Sequence, residues 1–200
     1  MNSYYTEEEL SNLGLHSYGK NVKMSRYARI YSPDKVTIGN NVRIDDFCIL
    51  SGNITLGSNI HISAYVALYG SMGIELEDYT GISPRSTIYS AMDDFGGDYL
   101  IGPIHPEGTT NVTGGKVILK KYSQIGTHCV VFPNLTIDEG AVIGACSLVR
   151  SSVAPWGIYA GTPIRFIKHR SNKMLKYRQI GGEVNSQESP VVQLQSKKGG

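Results

Sequence analysis

Aliphatic residues recur every six positions along most of the chain. One run is Ile38, Ile44, Leu50, Leu56, Ile62 and Leu68; after a slip of two residues come Leu76, Ile82 and Ile88; after a long break the period resumes at Leu119, Ile125, Val131, Ile137, Ile143 and Val149. Fifteen positions keep the spacing without a polar replacement, in a chain that is 40% hydrophobic. Four residues beyond these positions lies a second, mostly small or β-branched set, including Val42, Cys48, Ile54, Ile60, Val66, Thr80, Ser86, Ser123, Cys129, Ala141 and Ser147. A small or acidic residue directly follows many of the aliphatics, as in Ile38-Gly39, Leu56-Gly57, Ile125-Gly126 and Ile143-Gly144. An inward aliphatic, a tight corner and a small inward residue describe one flat face of a prism, and three such faces make one coil. A fixed period of this kind marks a solenoid, whose coils bury their inner faces only by stacking on one another. The expected fold is therefore an all-β solenoid with coils at 36–53, 54–71, 74–91, 117–134 and 135–152, an imperfect first coil at 22–35, and layers about 4.8 Å apart.

The ends depart from the period. Thr6-x-x-Glu9 is a capping box and Gly14 a helix stop, so residues 6–13 predict a short helix within an N-terminal cap of residues 1–21. Leu10, Leu13 and Leu15 are placed to close the first coil. Residues 22–170 form the solenoid domain, interrupted by a loop over 92–116. The last segment, 171–200, opens on SNKMLKYRQ, which predicts a second helix, and continues beyond Gly181 as a polar, aperiodic tail expected to be disordered.

Composition narrows the function by exclusion. A net charge of +2 gives no field that would gather nucleic acid or an anionic membrane. No apolar run approaches the roughly 18 residues of a membrane span. The opening MNSYYTEEEL lacks a basic start and apolar core, so a cytoplasmic protein is expected. Its three cysteines, Cys48, Cys129 and Cys146, have no metal-type spacing and read as reduced, buried packing residues.

A regular prism has no cleft, so chemistry belongs to the departures. The interruption, MDDFGGDYLIGPIHPEGTTNVTGGK, carries Asp93, Asp94, Asp98, His105 and Glu107. It is either a solvated flap or a site wall that a neighbouring subunit could complete. Near the last coil Arg150, Arg165, Lys168, His169 and Arg170 concentrate positive charge. They form either an ordinary basic tail or a clamp for a phosphorylated cofactor.

The hexad series together with Gly161-Thr-Pro-Ile-Arg165-Phe-Ile-Lys168 resembles the left-handed β-helix acyltransferases over about residues 22–170. The pattern is most similar to the galactoside and maltose O-acetyltransferase branch and to sugar acetyltransferases of surface-polysaccharide pathways. The resemblance implies a left-handed parallel β-helix, against the general preference for right-handed crossovers. It also implies a homotrimer with sites between subunits and acetyl-CoA lying along the coils. By the same resemblance Thr127, Ala145, Arg150, Ser151, Arg165 and Lys168 match cofactor-contacting positions, and no metal is called for. The family's catalytic histidine falls on Asp93 here. Three accounts follow. His105 replaces it as base; Asp93 or Asp94 serves, its pKa raised by burial; or the acceptor is an amine that needs no strong base. The reading is acetyl-CoA-dependent transfer to a sugar hydroxyl in polysaccharide or O-antigen biosynthesis. Its alternatives are N-acetylation of a nucleotide-linked amino sugar and a non-enzymatic binding solenoid. Solenoid carbonic anhydrases need closely spaced metal-binding histidines, which this sequence lacks. Sugar-nucleotide transferases of the same fold usually carry an extra domain, for which this chain has no room.

Overall fold

The computed structural model describes residues 3–179; the expected disordered tail lies outside the described residues. The chain is a left-handed β-helix of about seven turns. All fifteen hexad aliphatics are buried, and so are the small inward residues that accompany them. The reason is geometric. Side chains of a strand alternate between faces, so residues two apart on one short strand, such as Val42 and Ile44 or Ile60 and Ile62, both enter the shaft, while Arg43 and His61 between them face out.

Each coil contributes three faces. The first carries Val36–Ile38, Val117–Leu119 and Leu135–Ile137. The second carries Val42–Ile44, Ile60–Ile62, Gly81–Ile82, Gln124–Ile125 and Val142–Ile143. The third carries Arg29–Tyr31, Thr87–Tyr89, Val130–Val131 and Leu148–Val149. Two long strands, Ile49–Leu56 and Ala67–Leu76, turn the corner from the third face to the first and join both into one ten-stranded sheet. Coil-to-coil pairing is parallel throughout the shaft. The corners between faces repeatedly hold residues in the left-handed region, among them Asn41, Asn59, Tyr65, Tyr79, Tyr122, His128 and Cys146. This conformation costs non-glycine residues energy, which is offset here by stacking. Tyr79 lies on Tyr122 at 5.2 Å, and Tyr27, Phe47 and Tyr65 form a column with Arg85 over the last ring at 4.8 Å.

The two-residue slip is a bulge. Gly52 pairs with Gly70 and Ile54 with Ile74, so the upper strand holds two extra residues at the corner between the third and first faces. The excursion 92–116 leaves from this corner one coil above, and Met72 N–H donates to Ser90 Oγ at its root, 2.8 Å away. The stack ignores the excursion. Val117 pairs with Ile74 and Leu119 with Leu76, as if the chain had not left.

The helix Glu7–Ser11 is capped as expected, with Thr6 Oγ1 accepting from Glu9 N–H and the Glu9 carboxylate accepting from Thr6 N–H. Leu10 and Leu15 are buried, and Leu13 packs on the core. The first coil begins earlier than its sequence pattern suggests, because Ser17–Tyr18, inside the expected cap, already pairs in parallel with Thr37–Ile38. At the other end Gly157–Gly161 and Ile164–His169 form an antiparallel hairpin that completes the second face. Lys173–Gln179 is a 3₁₀ helix. Cys48 and Cys129 are buried, but Cys146 is exposed, since it occupies the corner just before the inward Ser147.

Candidate active site

The corner between the second and third faces is built from small residues. Ser63, Ser83, Gly126 and Gly144 succeed one another up the stack, with Ala160 of the hairpin above them, and each takes an amide bond to the coil above. The crowding explains the composition. A Cβ on Gly126 would lie 2.7 Å from Ala145 N, and one on Gly144 would lie 2.9 Å from Ala160 Cβ. Beside this column run Pro84, Thr127 and Ala145. Gly126 N–H donates to Ile143 O and His128 N–H to Pro84 O, whereas the Thr127 and Ala145 N–H groups make no hydrogen bond. Two open amides therefore line a narrow rail of small side chains. Thr127 Oγ1 is engaged, donating to Pro84 O at 2.7 Å.

The structure divides the six residues matched to cofactor contacts. Thr127 and Ala145 share this corner, and Arg165 comes close to it because it pairs with Ala160 on the hairpin. Lys168 pairs with Ile158 farther back on the second face. Arg150 and Ser151 stand at the far edge of the third face, where the Arg150 guanidinium lies 5.5 Å above the Phe132 ring. Arg165, Lys168, Arg150 and Ser151 are all exposed.

Asp93 and Asp94 rise from the corner between the third and first faces, at the start of the excursion. There Ala91–Asp93 pairs antiparallel with Val112–Gly114. The two carboxylates differ. Asp94 is tied into the loop, its oxygens accepting from Gly96 N–H at 2.8 Å and Asn111 Nδ2 at 3.2 Å. Asp93 is half-buried and makes no side-chain hydrogen bond or ion pair. His105 sits near the loop tip between Ile104 and Pro106, likewise without a side-chain partner. Within one protomer a whole face separates these residues from Thr127 and Ala145.

That separating face is largely apolar on its outside, with Arg29, Ser51, Thr87 and Arg150 as its polar outward positions. Ile49, Ala67, Val130 and Leu148 face outward along it, flanked by Tyr31, Tyr69, Tyr89 and Phe132, with Tyr69 and Tyr89 stacked at 5.2 Å. The second face is polar by contrast. An open depression of about 470 Å³ runs along it from Asn41 and Arg43 up to Ser83 and Gln124. Arg43 Nε and His61 Nε2 meet the Asp45 carboxylate at 2.6 and 2.8 Å. Burial pushes the Asp45 pKa up, but its bonds to His61 and Arg43 outweigh that and hold it below the usual carboxylate value. Sequence reasoning passed over Ser83 because it reads as one more corner residue; its place under Gly126 on the rail appears only once the coils are stacked.

Among the described residues no group of three or more histidine, cysteine or acidic side chains could hold a metal ion, and no helix is long and apolar enough to cross a membrane.

No family model matches the chain. The dTDP-4-amino-4,6-dideoxy-D-glucose acyltransferase of Escherichia coli is 38% identical over 181 residues, which are 89% of this chain and 94% of that protein. AntD, an N-acyltransferase from Bacillus cereus crystallised with dTDP and 3-hydroxybutyryl-CoA, superposes with a TM-score of 0.87 at 52% identity, covering 90% of this chain and 96% of that one. Its crystallised variants replace one serine, or one aspartate ten residues farther along. A serine variant was solved with dTDP-4-amino-4,6-dideoxyglucose and coenzyme A (TM-score 0.88, 51% identity, 90% of this chain and 97% of that one). The acetyltransferase domain of PglB from Neisseria gonorrhoeae, in complex with acetyl coenzyme A, covers 80% of this chain and 62% of that one at a TM-score of 0.57 and 15% identity, and shares the fold alone.

Proposed function

Because the chain belongs to the hexapeptide-repeat acyltransferase family that includes the Escherichia coli dTDP-4-amino-4,6-dideoxy-D-glucose acyltransferase, we propose that it transfers an acyl group from coenzyme A to the 4-amino group of a dTDP-linked 4-amino-4,6-dideoxy sugar. The observation that carries this reading is the pair Ser83 and Asp93. The serine and aspartate replaced in AntD lie ten residues apart, and Ser83–Asp93 is the one serine–aspartate pair of this chain with that spacing. Ser83 stands on the rail, and Asp93, half-buried at the root of the loop, has no side-chain partner. The sequence pattern placed the acceptor first at a hydroxyl and second at an amine. The relatives favour the amine.

An amine removes the need for a strong base, which fits a rail whose side chains are serine and threonine. The neutral amine attacks the thioester carbonyl carbon; the C–N bond forms and the C–S bond breaks. The electron pair goes to sulfur, and the proton lost by nitrogen ends there as the coenzyme A thiol. Asp93 accepts a hydrogen bond from the amine and turns its lone pair toward the carbonyl. Ser83 is placed to pass the proton. The open Thr127 N–H serves the developing oxyanion, a part its hydroxyl cannot play while it donates to Pro84 O. His105 and Asp94 take no part, Asp94 because both its oxygens hold the loop. Coenzyme A supplies the activated acyl group and lies along Thr127 and Ala145, with its phosphates toward Arg165 and Lys168.

Since Asp93 and Ser83 flank the largely apolar third face on opposite corners, they meet only when copies pack across that face. This supports a homotrimer in which each site takes its rail from one subunit and its loop, with Arg150 and Ser151, from the next.

The test is to supply purified protein with dTDP-4-amino-4,6-dideoxyglucose or its 4-hydroxy counterpart, with acetyl-CoA or 3-hydroxybutyryl-CoA as donor. Thiol release and product mass are followed. Turnover of the amine alone is expected. Turnover of the hydroxyl sugar alone, or of neither, would overturn the reading.

A further inference from the structure

The terminal strand Ile164–His169 is the last of its sheet. Its ladder partner is Gly157–Gly161, and Arg165, Phe166, Ile167, Lys168 and His169 are all exposed. A strand held on one edge frays readily, yet this one carries both basic residues of the coenzyme A end. Arg170, the next residue, is built differently. Its guanidinium donates to Tyr122 O at 2.8 Å and Gly140 O at 2.9 Å, carbonyls on two successive coils. Its backbone N–H donates to Trp156 O at 2.7 Å, and Met174 Sδ lies 3.4 Å from Nη2. Among the described residues it has no carboxylate partner. Trp156 in turn caps Gly140 so closely that a Cβ there would lie 2.5 Å from the indole, and Tyr122 stacks below.

We propose that Arg170 is a positioning residue for the acyl donor: it staples the terminal hairpin across two coils and so fixes Arg165 and Lys168 where the phosphates of coenzyme A must be met. The staple touches neither substrate. It acts through the hairpin, and it rests on the reading that Arg165 and Lys168 meet those phosphates. Lysine reproduces it only in part: one nitrogen, Nη1, meets both carbonyls, but a shorter side chain ending in an ammonium loses the planar guanidinium and its Nη2 contact to Met174.

Calorimetric titration of wild type, R170A and R170K with coenzyme A and with dTDP tests this. The Kd for coenzyme A should rise about tenfold in R170A, as expected for losing two charge-assisted bonds, and by an intermediate factor in R170K. The Kd for dTDP should stay within about twofold, and the KM for acyl-CoA should rise at unchanged kcat. If R170A does not fold, R170K is read in the same way. Unchanged coenzyme A affinity, or parallel loss for coenzyme A and dTDP, would overturn the staple, since a purely structural role moves both. Failure of the underlying reading looks different: wild type would not bind coenzyme A, or an R165A/K168A double variant would bind it normally.

Discussion

The Thr127 hydroxyl donates to the Pro84 carbonyl oxygen one coil below, at 2.7 Å. The bond turns a residue that looks like an oxyanion donor into a fastener between layers. It leaves the Thr127 N–H as the open donor at that corner.

Thr127→Val therefore removes the bond while keeping the shape. Pro84 O still receives His128 N–H, so no buried acceptor is orphaned, and the expected loss of stability is about 1 kcal/mol. The kcat should stay within about threefold of wild type, a change in barrier of less than about 1 kcal/mol. A fall beyond tenfold would mean the hydroxyl itself meets the reacting carbonyl.

Asp93→Asn and Asp94→Asn should separate chemistry from architecture. The Asp93 side chain makes no hydrogen bond in the protomer, so its amide variant should melt like wild type but lose about tenfold or more in kcat at saturating donor. Asp94 ties Gly96 and Asn111 together. D94N should speed proteolysis within 92–116, and Asn111→Ala should have the same effect. Thermal melting, limited proteolysis and steady-state kinetics on the same preparations check both halves.

The capping helix makes a prediction about acid. The Arg26 guanidinium, and after it the Thr6 N–H, hold the Glu9 pKa at about 2, below its ordinary 4.5. A carboxylate with a depressed pKa stabilises the fold above its unfolded pKa, and that contribution is lost as pH falls through the folded value. The difference in melting temperature between wild type and Glu9→Gln should be constant above about pH 5 and close between about 4.5 and 2, the interval set by these two values. A difference that persists at the acid end would show that Arg26 is not its source.

Thiol labelling should read the corner directly. Burial pushes the Cys48 thiol up to about 11 and raises that of Cys129 as well, and both are inside the shaft. A maleimide at neutral pH should label Cys146 alone in the folded protein and all three cysteines after denaturation. Coenzyme A should slow labelling at Cys146, next to Ala145 on the rail. Equal rates with and without it would place the cofactor elsewhere.

Leu68→Ala removes a fully buried side chain from a shaft whose neighbours are fixed by ladders on both sides. Collapse around the gap is restricted, so a loss of about 3 kcal/mol is expected in denaturant unfolding.

Particular residues show how much of this was written in the chain. The hexad aliphatics and their small partners all point inward because the period encodes direction, and the Thr6–Glu9 box formed because it is local. The terminal hairpin was missed because antiparallel return has no hexad period. Its anchor at Arg170 depends on carbonyls 30 and 48 residues away. Asp93 and Asp94 are equivalent as neighbours in a sequence; only the approach of Asn111, 17 residues on, makes one structural and leaves the other open. Arg150 was grouped with Thr127 by resemblance, but stacking sends them to opposite edges of a face, where only a second copy can reunite them.

The seam at Val117, which closes on Ile74 as though residues 92–116 did not exist, separates two inheritances. The shaft on either side can stay as it is while residues 92–114 lengthen, shorten or change their acids, because the rungs resume at the seam itself, where Gly115 bonds Ser90 and Asn134 and Lys116 pairs with Glu75. Exchanging that segment between homologous chains should therefore re-aim the enzyme toward new acceptors without retraining its grip on the donor.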